Sequence, residues 1–155
     1  MTRLEVISIT KPVCPDWLEA FKQYASVPDD GRDALLNRLL RSALLRVQEY
    51  ADRAVVGTNL RLTIEVPQDG IVTLYEGGGE ILSVTDERGE FVRFDPLPGH
   101  RVQLFVRNVP VVIEYQTQPL EGDAEGLKPT VYRYATALYD GEEQAVLDAI
   151  LAEVR

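Results

Sequence analysis

The side chains able to do covalent or acid-base chemistry are few and scattered. His100 is the only histidine and Cys14 the only cysteine among 155 residues. A catalytic Ser or Cys needs a base held against it, yet His100 stands in the loop Pro98-Gly99-His100 with no nucleophile signature nearby. It is expected to be a solvated loop residue. The single Cys14 excludes an intramolecular disulfide and a thiolate zinc cluster, and one His and one Met leave soft-metal ligands nearly absent.

Carboxylates are the remaining candidates. Glu76/Glu80, Asp86/Glu87 and Glu142/Glu143 could hold a divalent ion or do proton transfer. Each pair sits at an expected turn or helix start, where acidic residues serve local purposes. Asp29 and Asp30 are read as caps at the start of the following helix, because no further acids follow at calcium-loop spacing. Gly77-Gly78-Gly79 lacks the Lys-Ser/Thr and the helix of a phosphate-binding loop, and reads as a wide turn between strands. No catalytic residue, cofactor site or metal site is assigned, and no enzymatic activity is expected.

The elements that would position any site begin with Asp29 to Thr58. Leu35, Leu36, Leu39, Leu40, Ala43, Leu44, Val47, Tyr50, Ala51 and Ala54 share a broad helical face that belongs in a core. Opposite them Arg38, Arg41, Gln48, Glu49 and Asp52 are polar, with Leu45 in their midst. A lone exposed leucine is ordinary; the same face also suits a second partner. Upstream, Leu4 and Val6 mark a short strand ended by Lys11-Pro12. Asp16 is placed as the cap of a helix from Trp17 to Ala25, with Trp17 as a core or edge anchor.

From Asn59 the apolar period drops from 3.6 to 2. Leu60, Leu62, Ile64 and Val66 alternate with Arg61, Thr63 and Glu65 before Pro67. Further short strands are expected at 71–75, 81–85, 91–94, 101–106 and 111–115, with a hairpin at Asp86-Glu87-Arg88-Gly89 and a turn or wider loop at Asp95-Pro96-Leu97-Pro98-Gly99. A helix is expected with Pro129 at its first position and Gly141 at its end. In the last helix, from Glu142, Val146, Leu147, Ile150, Leu151 and Val154 form one stripe. Tyr115, Tyr132, Tyr134 and Tyr139 read as core and interface aromatics. The expected architecture is one α+β domain over residues 1–155: N-terminal helices, a central, mostly antiparallel β-sheet and C-terminal helices.

Composition narrows the partners. A net charge of -9 repels phosphate backbones at long range. Tight or sequence-specific DNA binding is therefore not expected. No segment approaches the roughly 18 apolar residues of a membrane span, and the opening residues carry no signal-peptide core. The chain is expected to be soluble and cytoplasmic when made.

Several blocks have the order of a known family. They are Lys11-Pro12, the helix Trp17 to Ala25, Asp29-Asp30, Asp33-Ala34-Leu35-Leu36 through Ala43, Glu49-Tyr50 and Asp52-Arg53-Ala54-Val55. Ser83-Val84-Thr85 with Gly89, and Leu127-Lys128-Pro129 through Tyr139-Asp140-Gly141-Glu142-Glu143, complete the pattern. Across nearly its whole length the chain resembles the phage head-tail connector family, the small ring-forming neck adaptors of tailed phages and prophages.

That resemblance implies a self-assembled ring, dodecameric on the portal, that extends the DNA channel and receives a tail or stopper protein, with DNA as passive cargo. It places the protein in the virion neck, after assembly in the host bacterial cytoplasm. Arg38, Arg41, Leu45 and Asp52 become candidate subunit-interface residues, and Val146, Ile150, Leu151 and Val154 candidate portal or subunit contacts. The rivals from other classes are a monomeric protein-binding or regulatory module and a small acidic-site hydrolase.

Overall fold

The change of period at Asn59 is where helix gives way to strand. A computed structural model describes residues 2–9, 15–25, 31–117 and 123–154. The chain divides into two units, one from Met1–Lys11 and Val56–Pro119, the other from Pro12–Val55 and Leu120–Arg155. The fold is α+β, with N-terminal helices, antiparallel sheets centrally and two C-terminal helices.

In the first unit β1 (Thr2–Ile9), β2 (Thr58–Glu65), β7 (Pro110–Thr117) and β4 (Gly79–Asp86) form one antiparallel sheet in the order β1-β2-β7-β4. β3 (Ile71–Thr73), β6 (Arg101–Leu104) and β5 (Phe94–Leu97) form a second, in the order β3-β6-β5. Alternation decides the inner face: Leu60 lies opposite Tyr115 and Leu62 opposite Ile113, all buried. Between them Arg61 meets Glu114 at 3.0 Å on the other face. Val72, Val84, Val102 and Leu104 complete this core with side chains from both sheets. Each such burial contributes about 1.5–3 kcal/mol.

Two sheets form where a single one was expected. After β2 the turn Pro67–Gly70 closes by a Gly70 N–H to Pro67 carbonyl bond, and the Asp69 carboxylate accepts from the Ile71 amide. The redirected β3 therefore pairs with β6. The segment Asp95–Leu97, expected as loop, is strand: Pro96 lies opposite Val102. Its strand is at the sheet edge, where a proline's missing donor costs no ladder bond. Conversely Phe91 makes only an isolated bridge to Thr85, and the strand starts at Phe94.

The second unit contains α1 (Pro15–Ala25), α2 (Asp33–Ala51), α3 (Asp123–Tyr139) and α4 (Gln144–Ala152). α1 begins at Pro15, so Asp16 is a first-turn residue and not the cap. Asp29 and Asp30 lie outside the described residues; α2 starts at Asp33 behind Arg32. The buried face of α2 is narrower than the apolar pattern: Leu36, Leu40, Ala43, Leu44 and Val47 are covered, while Leu35 is 41% exposed. Gln48, expected on the polar face, is fully buried, and its side-chain oxygen accepts from the Val55 amide. The polar side chain thereby fastens the exit turn of its own helix.

α2 ends in a Schellman turn, with Arg53 N–H reaching Gln48 O and Asp52 N–H reaching Glu49 O. Asp52 occupies its left-handed position at φ 52°, where glycine is usual. Removing the β-carbon from this left-handed position relieves backbone strain: Asp52→Gly should raise stability by about 0.5–1 kcal/mol, read as a higher melting temperature.

α3 starts six residues ahead of Pro129, which lies inside it. One proline removes a single backbone donor, and burial of Leu127 and Val131 on either side holds both turns. The helix stops at Gly141, φ 71°, in a second Schellman turn in which Glu142 N–H bonds Ala137 O. Trp17 meets Tyr132 edge-on with ring centroids 5.9 Å apart, the anchoring role expected of it.

Candidate assembly surfaces

Among the described residues, the chemical candidates named from the sequence fall in turns, loops and strand ends. No group of three or more His, Cys, Asp or Glu that could hold a metal ion occurs among them. His100 is exposed, and its carbonyl accepts the Leu74 amide. One Asp86 carboxylate oxygen accepts the Arg88 and Glu90 amides, so it serves its own turn. Glu76 is buried at φ 55°, whereas Glu80 is exposed, so the two do not form a paired solvent-facing site. No helix among the described residues is long and apolar enough to cross a membrane.

The glycine triplet is structural. Gly77 and Gly78 both have positive φ, and a β-carbon at Gly78 would come within 2.9 Å of the His100 β-carbon. The Tyr115 hydroxyl accepts from the Tyr75 amide and donates to the Tyr75 carbonyl, each at 3.1 Å, which pins the start of this turn to β7. Tyr115, Tyr132 and Tyr134 are all buried, as expected of core aromatics.

The remaining candidates lie on or just past α2 and α4. On α2 Arg38, Arg41 and Leu45 are three and four residues apart and share one side of the helix. Both arginines are exposed and Leu45 is half-buried; Asp52 is exposed at the helix exit. In α4 the expected stripe divides. Ile150 and Leu151 are buried inside the helical unit at 8% and 1% exposure, Val154 is half-buried, and Val146 is 41% exposed. The stripe is thus covered mainly by the chain's own helices, and α4 packs beside α3 and α2. A cleft of about 600 Å³ lies where the ends of α2 and α4 meet α3, lined by Tyr50, Arg53, Leu127, Thr130, Glu153 and Val154. Glu153 also pairs with Arg133; the hydrogen bond and then the charge hold that guanidinium above its ordinary pKa.

Other exposed apolar side chains escaped the sequence reading. Phe91 is 72% exposed and Phe105 51%; Phe91 lies beside Phe94, and the Arg93 guanidinium sits 4.7 Å from the Phe105 ring centroid. On the four-stranded sheet Val6, Ile7 and Leu82 are exposed at its two outer strands. Three phenylalanines within fifteen residues were the available signal for the first group.

The fold so defined, two antiparallel sheets with helices before and after, has counterparts among solved structures. A chain from the neck of an empty gene transfer agent (GTA) particle, computed with C6 symmetry, matches over 99% of this chain and 95% of its own, with TM-score 0.67 and 14% identity. A chain from the virion of a native GTA particle matches over 98% and 94%, with TM-score 0.65 and 15% identity. A third, from the neck of a native GTA particle computed with C12 symmetry, covers 97% and 94%, with TM-score 0.59 and 15% identity. At such identity the likeness is one of fold. No protein-family model matches the chain, and no curated protein matches it.

Proposed function

We propose that the whole chain, residues 1–155, is a structural adaptor that assembles into a ring in the neck of a phage-like particle. It joins the portal to a tail or stopper protein and lengthens the DNA channel. The observation carrying this reading is the near end-to-end likeness to chains found in GTA necks, treated there with sixfold and twelvefold symmetry. Cyclic symmetry needs two different complementary surfaces on each copy, and the Arg38, Arg41, Leu45 side of α2 is a candidate for one. The net charge of -9 suits a passive wall past which DNA slides.

Light scattering after size exclusion, and electron microscopy with portal present, test the reading: closed rings are expected. Leu45→Glu should abolish or weaken them while circular dichroism is unchanged and stability shifts by no more than about 1 kcal/mol. A chain that stays monomeric on the portal would overturn the proposal.

A further inference from the structure

The two outer strands of the four-stranded sheet share an unusual feature. Each breaks register once: the β1 pairing skips between Val6 and Ser8, and the β4 pairing between Ile81 and Ser83. The residues at the breaks are Ile7 and Leu82, exposed by 43% and 51%. Proteins that must keep a sheet edge unpaired place charges, prolines or twisting bulges there. Here both bulges present an aliphatic side chain to solvent.

Strand direction adds a geometric match. In the order β1-β2-β7-β4 every pair is antiparallel, so β4 runs antiparallel to β1. Copies arranged head to tail around an axis would therefore set β4 of one antiparallel to β1 of the next. Among the described residues the outer edge of β4 is occupied only toward its end, where Val92 N–H bonds Val84 O and Asp86 N–H bonds Glu90 O. That leaves Glu80 to Ser83 for a new strand. With Ile7 opposite Leu82, Arg3, whose side chain is 70% exposed, falls against the Asp86–Glu90 turn and its three carboxylates. Charge and apolar surface are then satisfied in one register.

We infer that β1 and β4 pair within the contact between neighbouring copies, in addition to the α2 side proposed above: Glu80–Ser83 of one chain adds antiparallel to the Val6–Ser8 edge of a second copy, Leu82 against Ile7. This rests on the ring reading above and specifies its interface. The interface is β-augmentation, and the sheets of adjacent subunits become continuous.

Two measurements on the full chain test it. In a Cys14→Ser background, Ile7→Cys with Leu82→Cys should give a ladder of disulfide-linked oligomers under mild oxidation, and neither single variant should extend beyond dimers. Independently, unmodified protein assembled on portal should show amide exchange slowed by about tenfold or more in Val6–Ser8 and Glu80–Ser83 relative to free subunit. Rings that form with protection confined to α2 and α4, and with no ladder, would overturn this interface while leaving the ring reading intact. Failure of any ring to form would remove both.

Discussion

Gly79→Ala is expected to tear the first residues of β4 away from β7. A β-carbon built at Gly79 would lie 1.8 Å from the Gln116 carbonyl oxygen and 2.7 Å from its carbon. Both obstacles are backbone atoms of the paired strand, so no rotamer change relieves the overlap. The strands must separate at the point where the glycine turn enters the sheet, at a cost of about 3 kcal/mol or more. Gly126→Ala is the control. That glycine lies in α3 with nothing within 4 Å of an added β-carbon, and the change should stabilise by about 0.5–1 kcal/mol. Because the one tryptophan, Trp17, belongs to the helical unit, its fluorescence would report the control better than the test. Amide exchange in β7 reads Gly79→Ala directly, and unaltered protection there would refute the argument.

The second large effect is in α4. Leu151→Ala should destabilise the helical unit by about 2–5 kcal/mol, since Leu151 is 1% exposed within that unit. Val146→Glu, at a position 41% exposed, should cost no more than about 0.5 kcal/mol. Denaturation followed by Trp17 fluorescence separates them. Removing everything after Gly141 is therefore expected to unfold the helical unit, and only Val146 among the stripe residues offers a clean probe of docking. Equal losses from Leu151→Ala and Val146→Glu would mean that α4 packs the other way round.

These cases show what the residue pattern could and could not convey. Alternation in Leu60, Leu62 and Ile64 foretold β2, because a half-buried strand exposes every second side chain. The same logic concealed the edges: Ile7 and Leu82 sit in bulges, where period two fails. Pro96 pointed to a loop because proline is foreign to inner strands, whereas an edge tolerates it. Gln48 pointed to the surface because its polarity is visible in sequence and its partner, the Val55 amide, is not. For α4 the amphipathic stripe announced that something covers it; whether that cover is a neighbouring helix or another molecule depends on tertiary packing, which no local period encodes. The candidate face on α2 was legible as composition alone, since spacing places Arg38, Arg41 and Leu45 together but says nothing of what they meet.

The division of the chain has a consequence for its biosynthesis. Each unit is assembled from two separated stretches, with Pro12–Val55 interposed between β1 and the rest of the strands, and Leu120–Arg155 completing the helices last. During translation α1 and α2 leave the ribosome with Leu36, Leu40 and Leu44 uncovered, and they must wait through the whole strand region for α3 and α4. Such long-range closure gives slow folding and a lengthy period of exposed apolar surface. A released fragment ending at Thr117 should hence be a chaperone client, with its strands able to pair while its first two helices remain without their partners.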